Sequence, residues 1–271
     1  NALAVRKAGH TGTLDPGAAG VLPVCLGKAT RIAEYLTGET KEYRAEVMLG
    51  IATTTEDAFG EVVERSEKEI RLQQIREVLP RFLGEIEQVP PIFSALKHKG
   101  QRLYELARKG QEVEVEPRQV RISRLELLKF SSSRLLLDVE CTSGTYIRSL
   151  ARDLGIALGI PAHLSFLLRT RSGGFGLTGA VTPEELVKNN EGAGDGLVMS
   201  IPAALSSLPA IFIESAERRK AVNGAPLRNY LPGEVKVEKG DLVRVFTRDK
   251  EFISIGRIGP TGTIKAVKVF A

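Results

Sequence analysis

The 271-residue sequence has no tryptophan, two cysteines and three histidines. Cys25 and Cys141 lie far apart with no C-x-x-C pair, which disfavours a disulfide framework or a zinc ribbon. His10, His98 and His163 form no H-x-x-H pattern, so zincin chemistry is disfavoured too. No run approaches the roughly 18 apolar residues of a membrane-crossing helix. A P-loop is absent, because Gly27-Lys28 is followed by Ala29. Asn1 is not an initiator methionine, and no basic start with an apolar core follows it, so the chain is expected to begin inside a domain. What remains, 42% hydrophobic and 26% charged residues, is the composition of a globular protein. The sparse cysteines suit a reducing cytoplasm. The length fits one large domain, or a medium one plus a small one.

The formal net charge is +5, and it is unevenly spread. Residues 97–124 carry eight Lys or Arg against four Glu, and residues 214–271 carry twelve against seven Asp or Glu. Residues 45–96 have the opposite balance, five against ten. Such segregation fits a face that meets phosphates, and equally a solvated basic surface. The densest group is Lys97, Lys99, Arg102, Arg108, Lys109, Arg118, Arg121 and Arg124.

Alternation of Tyr43, Ala45, Val47 and Leu49 with polar residues predicts a half-buried strand over 41–49. Ile70, Leu72, Ile75, Val78 and Leu79 at helical spacing predict a surface helix over 67–83, stopped around Pro80. A further strand is expected over 135–141, followed by a Thr-Ser-Gly-Thr turn and a helix containing Tyr146, Ile147, Leu150 and Leu154. Strands and helices mix without a regular βαβ rhythm, so the expected class is α+β with a mixed sheet. The polar, Gly-rich stretch 189–196, with Pro202 and Pro209 after it, places a boundary near 208. Beyond it, a short helix over 215–222 and a hairpin of 242–247 with 252–258 suggest a small basic β domain, a common nucleic-acid-binding format.

Five glycines crowd residues 9–27, so the backbone there turns tightly or approaches something closely. Within this stretch Pro16 biases Asp15 away from the helical region and suits the first position of a following helix, for which Asp15 would be the cap. Arg148 sits near the start of its predicted helix, where the macrodipole disfavours a cation, so an anionic neighbour would explain it. Tyr43 on the apolar face of its strand reads as a core tyrosine whose hydroxyl must find a partner.

The ordered motifs G9-H-T-G-T-L-D-P-G-A-A-G-V-L22, Gly27-x-Ala29-Thr30, Lys41-x-Tyr43 and Leu49-Gly50 closely resemble the signature of the TruB family of tRNA pseudouridine-55 synthases. The likeness continues through Val89-Pro90-Pro91-x-x-Ser94-Ala95-x-Lys97, Gly100-x-x-Leu103-Tyr104, Ala107-Arg108-x-Gly110 and Cys141-x-x-Gly144-Thr145-Tyr146-Ile147-Arg148. It covers residues 7 to about 209, with a weaker likeness of the tail to the family's RNA-binding PUA domain. The resemblance implies a pseudouridine-synthase type α+β catalytic domain over 1–208, its N-terminal strand missing, and a small, barrel-like PUA domain over 209–271. It makes Asp15 the catalytic aspartate, Arg148 its cationic partner and Tyr43 the ring that stacks on the target uracil. His10 becomes the loop histidine that helps hold the everted base, and Leu167 the apolar floor. Tyr146 is a second pocket wall or a helix-face residue, and Lys97, Lys99, Arg102, Arg108 and Lys109 are candidate phosphate contacts. The implied substrate is the T-arm of tRNA, with no metal, cofactor or obligatory protein partner, and a monomer is the favoured state.

The chemistry fits these residues. Turning uridine into its C-glycoside requires the base to be detached, rotated and reattached, which calls for an ionised carboxylate and a pocket that retains the uracil. Gly17 and Ala19 stand where the family usually has a larger apolar residue and a Thr or Ser, and Thr54 where an Asp is common. Two other readings stay open: the related guide-RNA-dependent synthases, against which the Gly100-x-x-Leu103-Tyr104 segment speaks, and a non-catalytic RNA-binding protein.

Overall fold

The structure is a computed structural model, and it describes residues 5–38, 40–98, 100–111, 113–189, 197–228, 230–232 and 236–271. Two compact units share the chain. One comprises Gly12–Pro23 and Thr37–Ala180, the other Asn1–Thr11, Val24–Leu36 and Val181–Ala271.

In the first unit, alternating apolar residues build a seven-stranded sheet. Its strands are β1 (Ala19–Gly20), β2 (Lys41–Leu49), β3 (Gly84–Gln88), β4 (Arg118–Ser131), β5 (Arg134–Cys141), β6 (Ala162–Ser172) and β7 (Phe175–Gly176). The hydrogen-bonded order is β7-β6-β2-β5-β4-β3, antiparallel throughout, and β1 adds to β6 in parallel. The sheet is therefore mixed, and strand β2 spans the stretch its alternation predicts. Ala45, Val47 and Leu49 of β2 and Leu135, Leu137 and Val139 of β5 are buried on one face. Helix α3 (Ile147–Leu158) covers them with Ile147, Leu150, Ala151 and Leu154, and Gly159 ends it at a φ of 66°.

Two local expectations are corrected. The helix expected over 67–83 is shorter: α1 runs Leu72–Val78 and passes into a 3-10 turn at Leu79–Phe82. The Arg71 N–H donates to Gln74 Oε1 at 2.9 Å and the Arg71 carbonyl accepts from the Gln74 N–H at 3.0 Å, which starts the helix there and leaves Ile70 outside. Tyr146 is the extended N-cap of α3, not part of the helix. Its backbone is fixed by buried Gln88, whose amide donates to the Tyr146 carbonyl at 2.9 Å and accepts from the Tyr146 N–H at 2.7 Å.

The second unit contains a five-stranded sheet of β8 (Ala210–Ile213), β9 (Tyr230–Pro232), β10 (Leu242–Thr247), β11 (Phe252–Ile258) and β12 (Ile264–Val269), in the order β9-β8-β10-β11-β12. The expected pairing of 242–247 with 252–258 is antiparallel β10-β11. The short helix expected over 215–222 is a 3-10 turn at Ser215–Glu217 leading into an α-helical turn at Arg218–Val222. Ile211, Ile213, Val243, Val245, Ile253 and Ile264 form this unit's own core. A short hairpin, Ala8–His10 with Val24–Leu26, belongs to the same unit. Most of the stretch 189–196 lies outside the described residues.

Candidate active site

Asp15 sits on a turn between the hairpin strand Ala8–His10 and β1. The helix expected after Pro16 does not form. Instead the Ala18 N–H donates to the Asp15 carbonyl at 2.9 Å, closing a Pro16-Gly17 turn that sends the chain into β1. Asp15 thus caps nothing, and its carboxylate is free to meet the guanidinium of Arg148. Arg148 Nε donates to Oδ2 at 2.8 Å and Nη2 to Oδ1 at 3.2 Å, a two-pronged fork. Nη2 also donates to the Phe93 carbonyl at 2.9 Å and Nη1 to the Thr55 carbonyl at 3.2 Å, while Asp57 Oδ2 stands 3.7 Å from Nη1.

These partners account for a cation in the first turn of α3. The dipole opposes it, and two carboxylates with two carbonyls offset that opposition. The exposure is asymmetric: the Arg148 side chain is 5% accessible and that of Asp15 37%. The carboxylate faces outward and its guanidinium partner is interior. The Val89-Pro90 segment is tied to the same helix, since Ser149 Oγ at 2.8 Å and Arg152 Nη2 at 3.0 Å both donate to the Val89 carbonyl.

Tyr43 lies on β2, directly opposite Val139 on one side and Arg169 on the other. Burial pushes its hydroxyl up to about 12, with the thiol of Cys141 and, more weakly, Asp15 acting in the same direction and the Arg169 guanidinium against it. The phenol therefore stays protonated at neutral pH. Burial likewise raises Tyr146, with Ser94, Arg118 and Arg148 opposing and Asp15 adding to the rise. Both tyrosines thus feel the Asp15 charge. A pocket beside Asp15 is lined by Gly17, Asp57, Phe59, Arg148, Phe166 and Leu167, among others. Leu167 is buried on β6. Tyr43 and Tyr146 do not line that pocket.

Sequence reasoning missed Arg169. This β6 arginine is fully buried, and it donates to three carbonyls of the Asp15 loop: Val21 at 2.7 Å, Gly12 at 3.2 Å and Thr13 at 3.4 Å. Its own carbonyl accepts from the Val21 N–H at 2.9 Å. A lone arginine in an apolar strand reads as an exposed edge residue, and only the three-dimensional arrangement reveals what it gathers. Gly20 makes the contact close enough, because a Cβ there would lie 2.2 Å from the Arg169 carbonyl oxygen.

His10 is exposed at the end of its strand, in the other compact unit from Asp15. Arg102 and Lys109 are exposed, and Arg102 Nη1 donates to the Tyr104 hydroxyl at 3.3 Å. Lys99 and the side chains of Lys97 and Arg108 lie outside the described residues. Among the described residues no group of three or more His, Cys, Asp or Glu could hold a metal ion, and no helix is long and apolar enough to cross a membrane.

Comparison with known proteins identifies the class. The N-terminal domain pattern described as TruB family pseudouridylate synthase matches residues 1–147, and the tRNA pseudouridylate synthase B C-terminal domain matches residues 148–205. The tRNA pseudouridine synthase B of Symbiobacterium thermophilum is 52% identical over 227 residues, covering 82% of this chain and 74% of that protein. That of Geobacillus thermodenitrificans is 45% identical over 279 residues, covering 99% and 91%. In fold, the chain is similar to an H/ACA ribonucleoprotein structure bound to a substrate RNA containing 2'-deoxyuridine, with TM-score 0.77 and 28% identity over 100% of this chain and 78% of that one. A Cbf5-Nop10-Gar1 complex gives TM-score 0.73 and 30% identity, covering 100% and 77%. These likenesses define a pseudouridine synthase, an isomerase of RNA. The chain belongs to the TruB family, whose activity is that of a tRNA pseudouridine synthase.

Proposed function

We propose that the enzyme isomerises one uridine of the tRNA T-loop, at position 55, with Asp15 as its catalytic carboxylate. The observation that carries this reading is the Arg148 fork on Asp15, which aims the carboxylate outward from an otherwise interior ion pair. The target base is everted from the loop, at a cost of a few kcal/mol that protein contacts offset. Asp15 attacks the sugar or the uracil ring, the C1′–N1 bond breaks, the uracil turns within the pocket, C1′ bonds to C5, and the bond to Asp15 breaks to return its carboxylate. The proton on C5 is then lost and N1 regains one.

Arg148 orients Asp15 through its two-pronged fork. The Tyr43 ring stacks on the uracil, and its protonated hydroxyl serves the proton transfers. Leu167 forms the apolar floor, Tyr146 a second wall, and His10 helps hold the everted base. Arg102 and Lys109, with Lys97, Lys99 and Arg108, meet phosphates, and the second unit's five-stranded sheet acts as a PUA-like RNA-binding domain over 209–271. The enzyme works as a cytoplasmic monomer on bare tRNA. Identities of 45–52% to tRNA synthases, against 28–30% to guide-RNA assemblies, favour that over guide-RNA dependence.

The test is to incubate the chain with an unmodified tRNA transcript and map pseudouridine by base-specific chemical labelling, alongside Asp15→Asn. One modified T-loop uridine is expected, lost in Asp15→Asn while tRNA affinity stays within a few-fold. Activity in Asp15→Asn would overturn the site, and activity only with an added guide RNA would overturn the stand-alone reading.

A further inference from the structure

Gly17 is small where the family usually has a larger apolar residue, and the structure shows what stands in the vacated place. A Cβ on Gly17 would lie 1.9 Å from Cε2 and 2.5 Å from Cζ of Phe59. The ring of Phe59 therefore rests on the bare backbone of the Asp15 turn.

Its own backbone is firmly seated. The Phe59 N–H donates to Asp57 Oδ1 at 3.0 Å, the oxygen that also accepts from the Thr55 hydroxyl at 2.6 Å. The Leu164 N–H donates to the Glu56 carbonyl at 3.0 Å, which pins this loop to β6. Yet Phe59 is 77% exposed, more than any other large apolar residue among those described. A phenyl ring left mostly in water beside the Asp15 carboxylate presents a face on which a base can stack. It lines the pocket that contains Asp15 and Leu167, and Phe166, 47% exposed, lines it as well.

We propose that Phe59 is a stacking platform for the nucleotide next to the target uridine, with Gly17 as the seat that lets its ring lie beside the Asp15 turn. The occupant is RNA because the pocket is continuous with the catalytic carboxylate, which the tRNA loop must reach on every turnover; a protein covering it would block the substrate. Everting a uridine strips its neighbour of a stacking partner, and an aromatic ring replaces that partner whatever the base. Tyr43 and Phe59 then hold two successive bases. The proposal rests on the reading that Asp15 marks the uridine site.

The test uses the full chain and an unmodified tRNA transcript, with Phe59→Ala, Phe59→Tyr and the double variant Phe59→Ala/Gly17→Leu. The double variant refills the space from the other side of the gap. Stacking predicts that Phe59→Ala raises KM and Kd about tenfold with kcat within twofold, that Phe59→Tyr retains the parent values, and that the double variant recovers thermal stability but not affinity. A transcript carrying 2-aminopurine beside the target should be quenched on binding the parent and less so on binding Phe59→Ala. The proposal is overturned if KM and Kd stay unchanged, or if a fall in kcat and Tm is fully reversed by Gly17→Leu, which would make the ring only a spacer. Failure of the underlying reading shows separately, as activity in Asp15→Asn or as no T-loop pseudouridine with the parent chain.

Discussion

The carbonyl oxygen of Arg169 faces the α-carbon of Gly20 so closely that an added Cβ would stand 2.2 Å from it, in a backbone conformation of φ +108° that side chains rarely adopt. Strand β6 and the loop of Asp15 thus meet backbone to backbone, and the Arg169 side chain gathers three further loop carbonyls.

Gly20→Ala should destabilise the fold by at least about 2 kcal/mol, from strain and clash together. Arg169→Met leaves three loop carbonyls without their donor and should cost on the order of 3 kcal/mol, with kcat falling at least tenfold through displacement of Asp15. Urea unfolding and single-turnover rates check both. A stable Arg169→Met protein with parental kcat would show that the loop holds itself.

Arg148→Lys keeps the charge and loses the fork, since an ammonium cannot hold both Asp15 oxygens together with the carbonyls of Thr55 and Phe93. The expected outcome is a fall of roughly a hundredfold in kcat with tRNA Kd within a few-fold. Single-turnover kinetics beside filter binding separates the two. Equal losses in both would assign Arg148 to binding.

Tyr43 and Cys141 are both pushed up to about 12 by burial, from ordinary values of 10.0 and 9.0. Between about pH 9 and 12 the unfolded chain releases protons that the folded chain keeps, so unfolding free energy falls as pH rises. Below that window the contribution is complete and flat. Stability should therefore be level through neutral pH and decline above about 9. Cys141→Ala should flatten the lower part of that decline by up to about 1.4 kcal/mol per pH unit. Denaturation midpoints across pH 7–11 measure it.

Arg102 and Lys109 are exposed in the basic stretch before β4. If each meets a phosphate, Arg102→Gln with Lys109→Gln should reduce the slope of log Kd against log salt by roughly 0.7 to 0.9 per residue. An unchanged slope would return both residues to the solvated surface.

Much of this architecture is legible from periodicity. Strands β2 and β10 follow alternation, because one face of each is buried and period 2 leaves little freedom, whereas β11 is buried on both faces from Ile253 to Gly256. Helix α1 is shorter than its apolar spacing suggests, since the hydrogen bonds between the Arg71 backbone and Gln74, rather than Ile70, decide where it starts. The partnership of Asp15 and Arg148 is readable from a cation placed against a helix dipole and from the ordered motifs. Arg169 is not, because a buried arginine is defined by carbonyls that the chain brings from the other end of the unit. Phe59 is equally opaque: within Thr-Glu-Asp-Ala-Phe-Gly it reads as part of a polar turn, and only the bare surface of Gly17 gives its ring a place.

The loop that carries Asp15 has its scaffold far downstream: Arg148 is 133 residues away, and Arg169 is 157 residues from Gly12. Closing such distances is slow relative to local helix formation. A ribosome making this chain therefore releases the Asp15 turn long before Arg148 and then Arg169 follow. The setting of Asp15 is complete only once β6 has been made, because a chain interrupted ahead of β6 lacks every Arg169 contact to that loop.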